Sequence, residues 1–483
     1  MFDTSLGLLL AHLGAYIILP LIPGMIAAWI LIDDRFKGRL YYIISWFIGI
    51  GVLSYGLFLL QFIRFGIDRM AYAMLLLFLI VVLVIRVQST RMTWRRLLTV
   101  LPVSLRITGR KAKSGRQKAG IVALGLFIVT FVITTFVFVT SFPSYGDDAF
   151  GNRHLPVMNI LYDGGVHIFG ETSEILGRGR LGYPIMIPSM QAFISNVLGG
   201  YNDIYNNLLP WMLFTMFSLF IGIYVYLKKR NLLSALIWPA VLMSMPLIFM
   251  HVTQTYMDLP SAIYTALAVI ALYEWLQEHG SNDDLILGIT MLSIVSYIKN
   301  DGFVVYMAGT LAALVIYFLI YRHATKEKLK AFRKPQLRIT LIAVVLFFVV
   351  PFTFLKSYYD LGFNQAAGAD SGLGLTWGLH REIFPAIRNT MRTMNNYAVA
   401  PFLFIMIIVW KFITRKNMPK QHLFLILAPV VILCLFTLVF LVTENYKFVL
   451  DQTTVNRVFT MWFIIFFSYI ALLMDNRQTH DHT

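Results

Sequence analysis

Two adjacent carboxylates, Asp147 and Asp148, stand in the stretch SYGDDAFGNRHLPVMNILYDGG (144–165), with Arg153 and His154 a few residues on. A carboxylate beside an apolar region is partly desolvated, so its proton affinity rises and it can act as a general base near neutral pH. The same pair offers hard oxygen ligands to a divalent cation, Mg or Mn. A solvated turn capped by Ser144 or Asp147 is the plainer alternative. Asp258 and Pro260 open YMDLPSAIYTALAVIALYEW (256–275), where the aspartate also suits a helix N-cap. Lys299 and Asp301 lie in SYIKNDGF (296–303); the lysine either snorkels outward or meets a phosphate. Arg457 closes FVLDQTTVNR (448–457), where a cation at a helix mouth can hold phosphate by charge-assisted hydrogen bonds. His380 and Arg381, in GLTWGLHREIF (374–384), read as capping or pairing residues.

The elements that must position these groups are apolar helices. Of 483 residues, 58% are hydrophobic and 13% charged, about half the charge of a typical soluble domain. Mean hydropathy is +0.72. Runs of about 20 apolar residues, enough to cross a bilayer core, recur from end to end. Ten-residue segments of alternating polarity, the mark of a membrane β-barrel, are absent. The fold class is therefore an all-α polytopic membrane protein. Thirteen spans are predicted, over 5–32, 40–63, 71–88, 120–140, 206–227, 232–250, 257–276, 283–298, 302–321, 338–356, 397–413, 421–443 and 456–474. The first has no basic leader and outruns a signal-peptide core, so it reads as a retained span. The segment 183–200 is short and holds Pro184, Pro188, Gln191 and Asn196, which suits a re-entrant or surface-lying helix.

Placing the N-terminus outside puts 28 of the 40 lysines and arginines in cytoplasmic segments, as the positive-inside tendency requires. Asp147, Asp148, His154, Asp258, Lys299, Asp301 and Arg457 then share the external side. The basic tract 91–118 faces the cytoplasm as an interfacial connector to anionic lipid. Topology and lipid account for the net charge of +16, and no nucleic-acid motif competes with them. The lone Cys434 excludes an intrachain disulfide. Three regions follow: 1–119, three spans and the basic connector; 120–321, a central module with external loop 141–205; and 322–483, the last spans with external loop 357–396. After the acidic pair, Leu155, Met158, Leu161 and Tyr162 mark a helix lying on the membrane and stopped by Gly164 and Gly165; a second such helix enters through Pro184.

Asp148, Ala149, His154, Leu155, Pro156, Gly164, Gly165, Tyr183 and Pro184 together resemble the first external loop of the GT-C class of integral-membrane glycosyltransferases. That loop carries an acidic motif, a pattern like D-A-x-x-x-H-L-P, a helix ending in Gly, and then Y-P. The stretch at Asp258 is similar to the class's Y-x-D-x-P opening of a span. That at Lys299 is similar to its K-x-E-G junction, with Asp301 in place of glutamate. The likeness covers roughly 120–320. It departs from the pattern by one extra residue between Asp148 and His154 and by Asn152-Arg153 where an aromatic is usual.

The resemblance implies a polyprenyl-phosphate-linked sugar as donor, an acceptor glycan, lipid or protein, and transfer at the outer face of a bacterial plasma membrane. It implies Asp148, or its neighbour Asp147, as the catalytic base. His154, Asp258, Lys299, Asp301 and Arg457 become substrate-binding residues. Some members of the class use a divalent metal and others none, which leaves Asp147 and Asp148 as the metal candidates. Two other functions fit a polytopic chain. A lipid or solute transporter or flippase predicts ionisable residues in mid-span. A glycan polymerase or ligase predicts arginines gathered in a large external loop, where 357–396 holds Arg381, Arg388 and Arg392.

Overall fold

Helices α1 (Leu6–Leu31) and α2 (Tyr41–Gln61) cross with their backbones in contact. A Cβ on Gly24 would fall 1.8 Å from the Ser45 carbonyl oxygen, and one on Gly49 equally close to that of Pro20. Small residues at such crossings let two apolar helices gain dispersion contacts that lipid would otherwise supply. The computed structural model describes residues 6–32, 40–61, 66–90, 115–144, 150–165, 183–322, 326–359, 378–392, 397, 400–413 and 419–473. Among them the regular structure is helical, as the periodicity predicts.

In chain order the remaining helices used below are α3 (Arg69–Thr90), α4 (Gly115–Ser141), α5 (Leu155–Tyr162), α6 (Met186–Val197), α7 (Leu208–Lys229), α8 (Leu232–Met243), α9 (Pro246–Thr253), α10 (Asp258–Leu276), α11 (Asn282–Ser296), α12 (Ala308–Ile320), α13 (Pro335–Phe348), α14 (Val350–Tyr358), α15 (Ile383–Arg392), α16 (Ala400–Ile413), α17 (His422–Val442) and α18 (Thr453–Leu473). Local sequence sets several of their ends. Asn231 caps α8 by accepting the Ser234 N–H at 3.3 Å. Ser281 and Asp284 bond across the first turn of α11, the Ser281 N–H donating to the Asp284 carboxylate at 2.7 Å. Gly164, at φ 71°, stops α5 in the left-handed region that favours glycine.

Helices α10 and α2 form the centre of the bundle. Their most apolar 18-residue windows are 94% and 89% buried, and the Tyr264 hydroxyl on α10 donates to the Phe47 carbonyl on α2 at 2.7 Å. The first three spans are thus built into the same core as the central module. At the periphery α4 is 6% buried and exposes Val122, Leu126, Phe127, Val129, Ile133 and Val137. An apolar belt of this length has hydrocarbon, not water, as its natural solvent.

Among the described residues nine helices are long and apolar enough to cross a membrane, or ten if one bent pair is a single span. The chain is a polytopic helical membrane protein, and several of the thirteen predicted spans take a shorter or broken form among the described residues. The predicted span 283–298 is realised as the 15 residues of α11, about 22 Å of helix. The predicted span 232–250 is broken into α8 and α9, bent by 78° where Pro246 starts the second piece. Only 14 residues of the 397–413 span form α16, and the apolar part of α18 is Thr454–Ser468. The 183–200 segment forms α6, whose Met186, Ile187, Met190, Phe193 and Ile194 are buried against α2 and α5. It lies inside protein and not on the membrane surface. On α5, Val157, Asn159 and Ile160 turn inward, leaving the predicted stripe of Leu155, Met158, Leu161 and Tyr162 on the less buried side.

The two ends of α10 differ in chemistry. Asp258 and Glu274 are separated by about 24 Å of helix rise. Around Glu274 gather the Tyr224 hydroxyl, Lys228 at 2.8 Å, and the loop where Lys328 donates to the Gly280 carbonyl at 3.1 Å. Lys420 sits over the Tyr321 ring, 5.9 Å from its centre, in the same set of basic loops. The opposite end, at Asp258, carries the candidate site.

Candidate functional site

Asp258 occupies the first turn of α10, where the helix dipole favours a carboxylate. The cap position is held by Met257, so Asp258 is the first helical residue and not the expected N-cap. Instead one oxygen accepts from Lys299 Nζ at 2.9 Å, and the other accepts from Arg457 Nε at 3.0 Å and Nη2 at 2.7 Å. Lys299 also pairs with Asp301 at 2.7 Å. Four of the predicted residues, from three separate stretches, are therefore brought together. The Asp258 side chain is 4% exposed and Lys299 11%, whereas Arg457 is 22% and Asp301 40% exposed, so the cluster runs from core to rim.

Lys299 does not snorkel away. Burial opposes its charge, but Asp258 and then Asp301 outweigh that penalty, and its proton is held more tightly than on a free lysine. It stays cationic throughout the physiological range. Beneath Arg457 lies the Tyr256 ring, 5.2 Å from the guanidinium carbon, a cation–π contact. His251, at the end of α9, packs edge-on to the same ring with centroids 5.4 Å apart. Arg153 covers the Tyr183 ring at 5.2 Å, and Tyr183 lies within electrostatic reach of Lys299. A guanidinium carries five donors and an ammonium three, so the pair of cations has more hydrogen-bonding capacity than Asp258 uses. The arrangement can present a desolvated, donor-rich surface to an anion.

His154 lies apart from this cluster. It is fully buried at the end of a π-helical turn, Phe150–His154. Nε2 is 2.5 Å from the Ser144 hydroxyl, and Nδ1 is 2.8 Å from the Tyr201 hydroxyl and 3.1 Å from Asp203. With both nitrogens engaged inside the protein, it serves a buried network and does not reach the ions at Asp258. Burial lowers its proton affinity below that of an ordinary imidazole, against the opposing pull of Asp203. The network continues through Asn207 to Thr255, whose hydroxyl donates to Asn207 Oδ1 at 3.1 Å, three residues before Asp258. The two clusters are thus neighbours joined by the α9–α10 connection.

Asp147 and Asp148, the expected base and the expected metal ligands, lie outside the described residues, between Ser144 and the π-helical turn. Among the described residues no group of three or more His, Cys, Asp or Glu is placed to hold a metal ion. The divalent-ion expectation therefore rests on that acidic pair alone. His380 stacks on Tyr446 and contacts Glu382 at 3.2 Å, and Lys447 pairs with Glu444 at 3.6 Å, so neither joins the site.

Sequence reasoning missed Tyr201, Asp203 and Asn207, gave Ser144 only as one candidate turn cap, and met Tyr256 only as the first residue of the Y-x-D-x-P likeness. The signal for the first three is the polar run YNDIYNN (201–207) immediately before an apolar span, which is unusual composition for a bundle interior. No family model, curated protein or solved structure matches the chain.

Proposed function

We propose that this protein is a membrane glycosyltransferase that moves a sugar from a polyprenyl-phosphate carrier to an acceptor hydroxyl. The observation that carries this reading is the convergence of Lys299 and Arg457 on Asp258 at the end of the bundle opposite the basic loops. A polyprenyl tail dissolves among lipid-facing helices while its phosphate rises to that rim, so the membrane itself supplies part of the positioning. Asp148, or Asp147 beside it, takes the acceptor proton as the oxygen attacks the anomeric carbon. The carbon–oxygen bond to phosphate breaks, polyprenyl phosphate departs, and a single displacement inverts the centre. Negative charge grows on the leaving phosphate, and cations already fixed there stabilise the transition state more than the ground state.

In this reading the shorter and broken helices complete thirteen crossings, and the positive-inside distribution of lysine and arginine favours a site on the outer side of a bacterial plasma membrane. The class likeness of 144–184, 256–275 and 296–303 supports it from the sequence, and the ion cluster supports it from the geometry. A second reading, transport of an amphiphile, draws on the 78° break between α8 and α9 near buried His251, because broken spans often line substrate paths.

The test supplies radiolabelled polyprenyl-phosphate sugars to the full chain in lipid nanodiscs with a lipid or glycan acceptor. Transfer by the wild type, and a loss on the order of 10²-fold or more in Asp148→Asn and in Arg457→Gln, is the expected result. Undiminished transfer in both variants removes the proposed roles. Donor that crosses sealed vesicles chemically unchanged, without transfer, favours the transport reading.

A further inference from the structure

Ser144 lies three residues beyond the end of α4, at the lipid-exposed edge of the molecule, and is itself only partly buried. Its hydroxyl faces a base. Ser144 Oγ is 2.5 Å from His154 Nε2, and His154 Nδ1 faces both the Tyr201 hydroxyl, at 2.8 Å, and Asp203 Oδ1, at 3.1 Å. Two tautomers of the ring are compatible with these neighbours. With the Tyr201 proton on Nδ1, Nε2–H donates to Ser144, whose own hydroxyl donates to Asn207. With the Tyr201 oxygen accepting from Nδ1–H, Nε2 presents a lone pair to Ser144, and this second form is the nucleophile-activating one.

Asn207 completes the arrangement. Its Oδ1 lies 3.0 Å from Ser144 Oγ and 3.1 Å from Thr255 Oγ1, while its Nδ2 is buried without a partner among the described residues. A carboxamide is nearly symmetric in shape, and exchanging its two ends places Nδ2 toward both hydroxyls. In that orientation the Ser144 proton no longer goes to Asn207 and turns to His154 Nε2, while the Thr255 hydroxyl gives up its Asn207 acceptor. The Ser144 backbone N–H donates to Asp203 Oδ2 at 3.2 Å, which ties the carboxylate to the serine. Serine, imidazole and a carboxylate 3.1 Å from the far ring nitrogen stand in the order of a nucleophile, its base and a nearby negative charge, with the Tyr201 hydroxyl as the ring's hydrogen-bond partner.

We propose that Ser144 is an activated nucleophile and that this rim of the protein transfers acyl groups from an amphiphilic ester delivered by the bilayer. Ser144 Oγ attacks the ester carbonyl carbon while its proton passes to His154 Nε2. The acyl carbon–oxygen bond breaks, the alcohol leaves carrying that proton, and Ser144 remains acylated. Water or a second hydroxyl then attacks the acyl carbon by the same route, giving its proton to His154 and returning it to Ser144. The exposed Phe142, two residues before the nucleophile, offers an acyl chain an apolar contact at the point of arrival. Glycosyl transfer makes no use of Ser144, so the two activities stand or fall separately.

The experiment treats the full chain in nanodiscs with a long-alkyl fluorophosphonate and locates the adduct by peptide mass spectrometry. One adduct, on Ser144, is expected; Ser144→Ala abolishes it, and Asp203→Asn and Tyr201→Phe slow its formation, the aspartate variant on the order of 10²-fold or more. Hydrolysis of 4-nitrophenyl decanoate follows the same order. No adduct on Ser144 in the wild-type protein overturns the proposal, as does equal labelling of wild type and Asp203→Asn, or ester hydrolysis that survives in Ser144→Ala. Because the mapped adduct is read on the wild-type protein, a variant that fails to fold leaves the test decisive.

Discussion

Asp258→Asn removes one negative charge with almost no change in shape, and the ion cluster sets the size of the effect. The carboxylate faces Lys299 at 2.9 Å and Arg457 at 2.7 Å. At an effective dielectric near 20, each contact is worth roughly 6 kcal/mol before the cost of desolvation is subtracted. Removing one member of a buried pair costs about 3–5 kcal/mol net, because the partner's charge stays behind. Two features pull the value toward the lower end: Lys299 keeps Asp301 at 2.7 Å, and Arg457 is 22% exposed with the Tyr256 ring below it. The expected loss is therefore about 3 kcal/mol. Asp301→Asn is the internal control. That carboxylate is 40% exposed, and screening by solvent reduces its contribution to about 0–1 kcal/mol. Equilibrium unfolding of the purified chain in mixed micelles reads both variants on one scale. A double-mutant cycle with Arg457→Gln then isolates the pair, with coupling of about 0.5–3 kcal/mol expected. If Asp258→Asn lies within about 0.5 kcal/mol of wild type, or matches Asp301→Asn, the cluster does not hold this end of the bundle together.

Three further outcomes follow from the same geometry. Gly49→Ala places a methyl group 1.8 Å from the Pro20 carbonyl oxygen, so the crossing of α1 and α2 must open and the same unfolding assay registers a loss of at least about 1–3 kcal/mol; an unchanged midpoint refutes the close crossing. His154 binds a proton less readily in the folded chain than in the unfolded one, whose imidazole titrates near 6.5, so its share of stability is complete above about pH 6.5 and declines as pH falls from there; His154→Gln flattens the fall between pH 8 and 5, and an identical slope in both proteins contradicts the assignment. Dodecyl phosphate raises the melting temperature of the wild type, and Arg457→Gln reduces that rise at least twofold; equal stabilisation of both proteins, or none of either, removes the anion-binding role of the cluster.

The sequence discloses the helices more readily than the contacts, and particular residues show why. Length and apolarity are local properties, so α1, α2, α3 and α4 are visible as runs near 20 residues. The break between α8 and α9 is less visible, because Pro246 permits both a kinked span and a new helix, and only packing around His251 and Met245 selects the second. The burial of α6 is similarly hidden: the apolar side chains of a 12-residue helix read alike whether lipid or protein covers them. Among site residues, Asp258, Lys299, Asp301 and Arg457 announce themselves because a charge flanked by apolar spans needs an explanation. Ser144, Tyr201 and Asn207 do not, since uncharged polar residues are common at span ends.

Asp258 illustrates how two correct local statements compete for one side chain. An aspartate followed two residues later by proline is a sound N-terminal signal, and helix α10 does begin there. The aspartate stands just inside the cap, after Met257, and its oxygens go to two cations, one 41 and the other 199 residues distant in sequence. A neutral cap bond contributes about 1 kcal/mol, whereas leaving two buried cations uncompensated costs several times more. Tertiary electrostatics therefore decides where that carboxylate points. The same inequality holds at Ser144: a turn-capping bond is weak compared with satisfying a buried imidazole that has no water to turn to. At both positions the long-range partner wins.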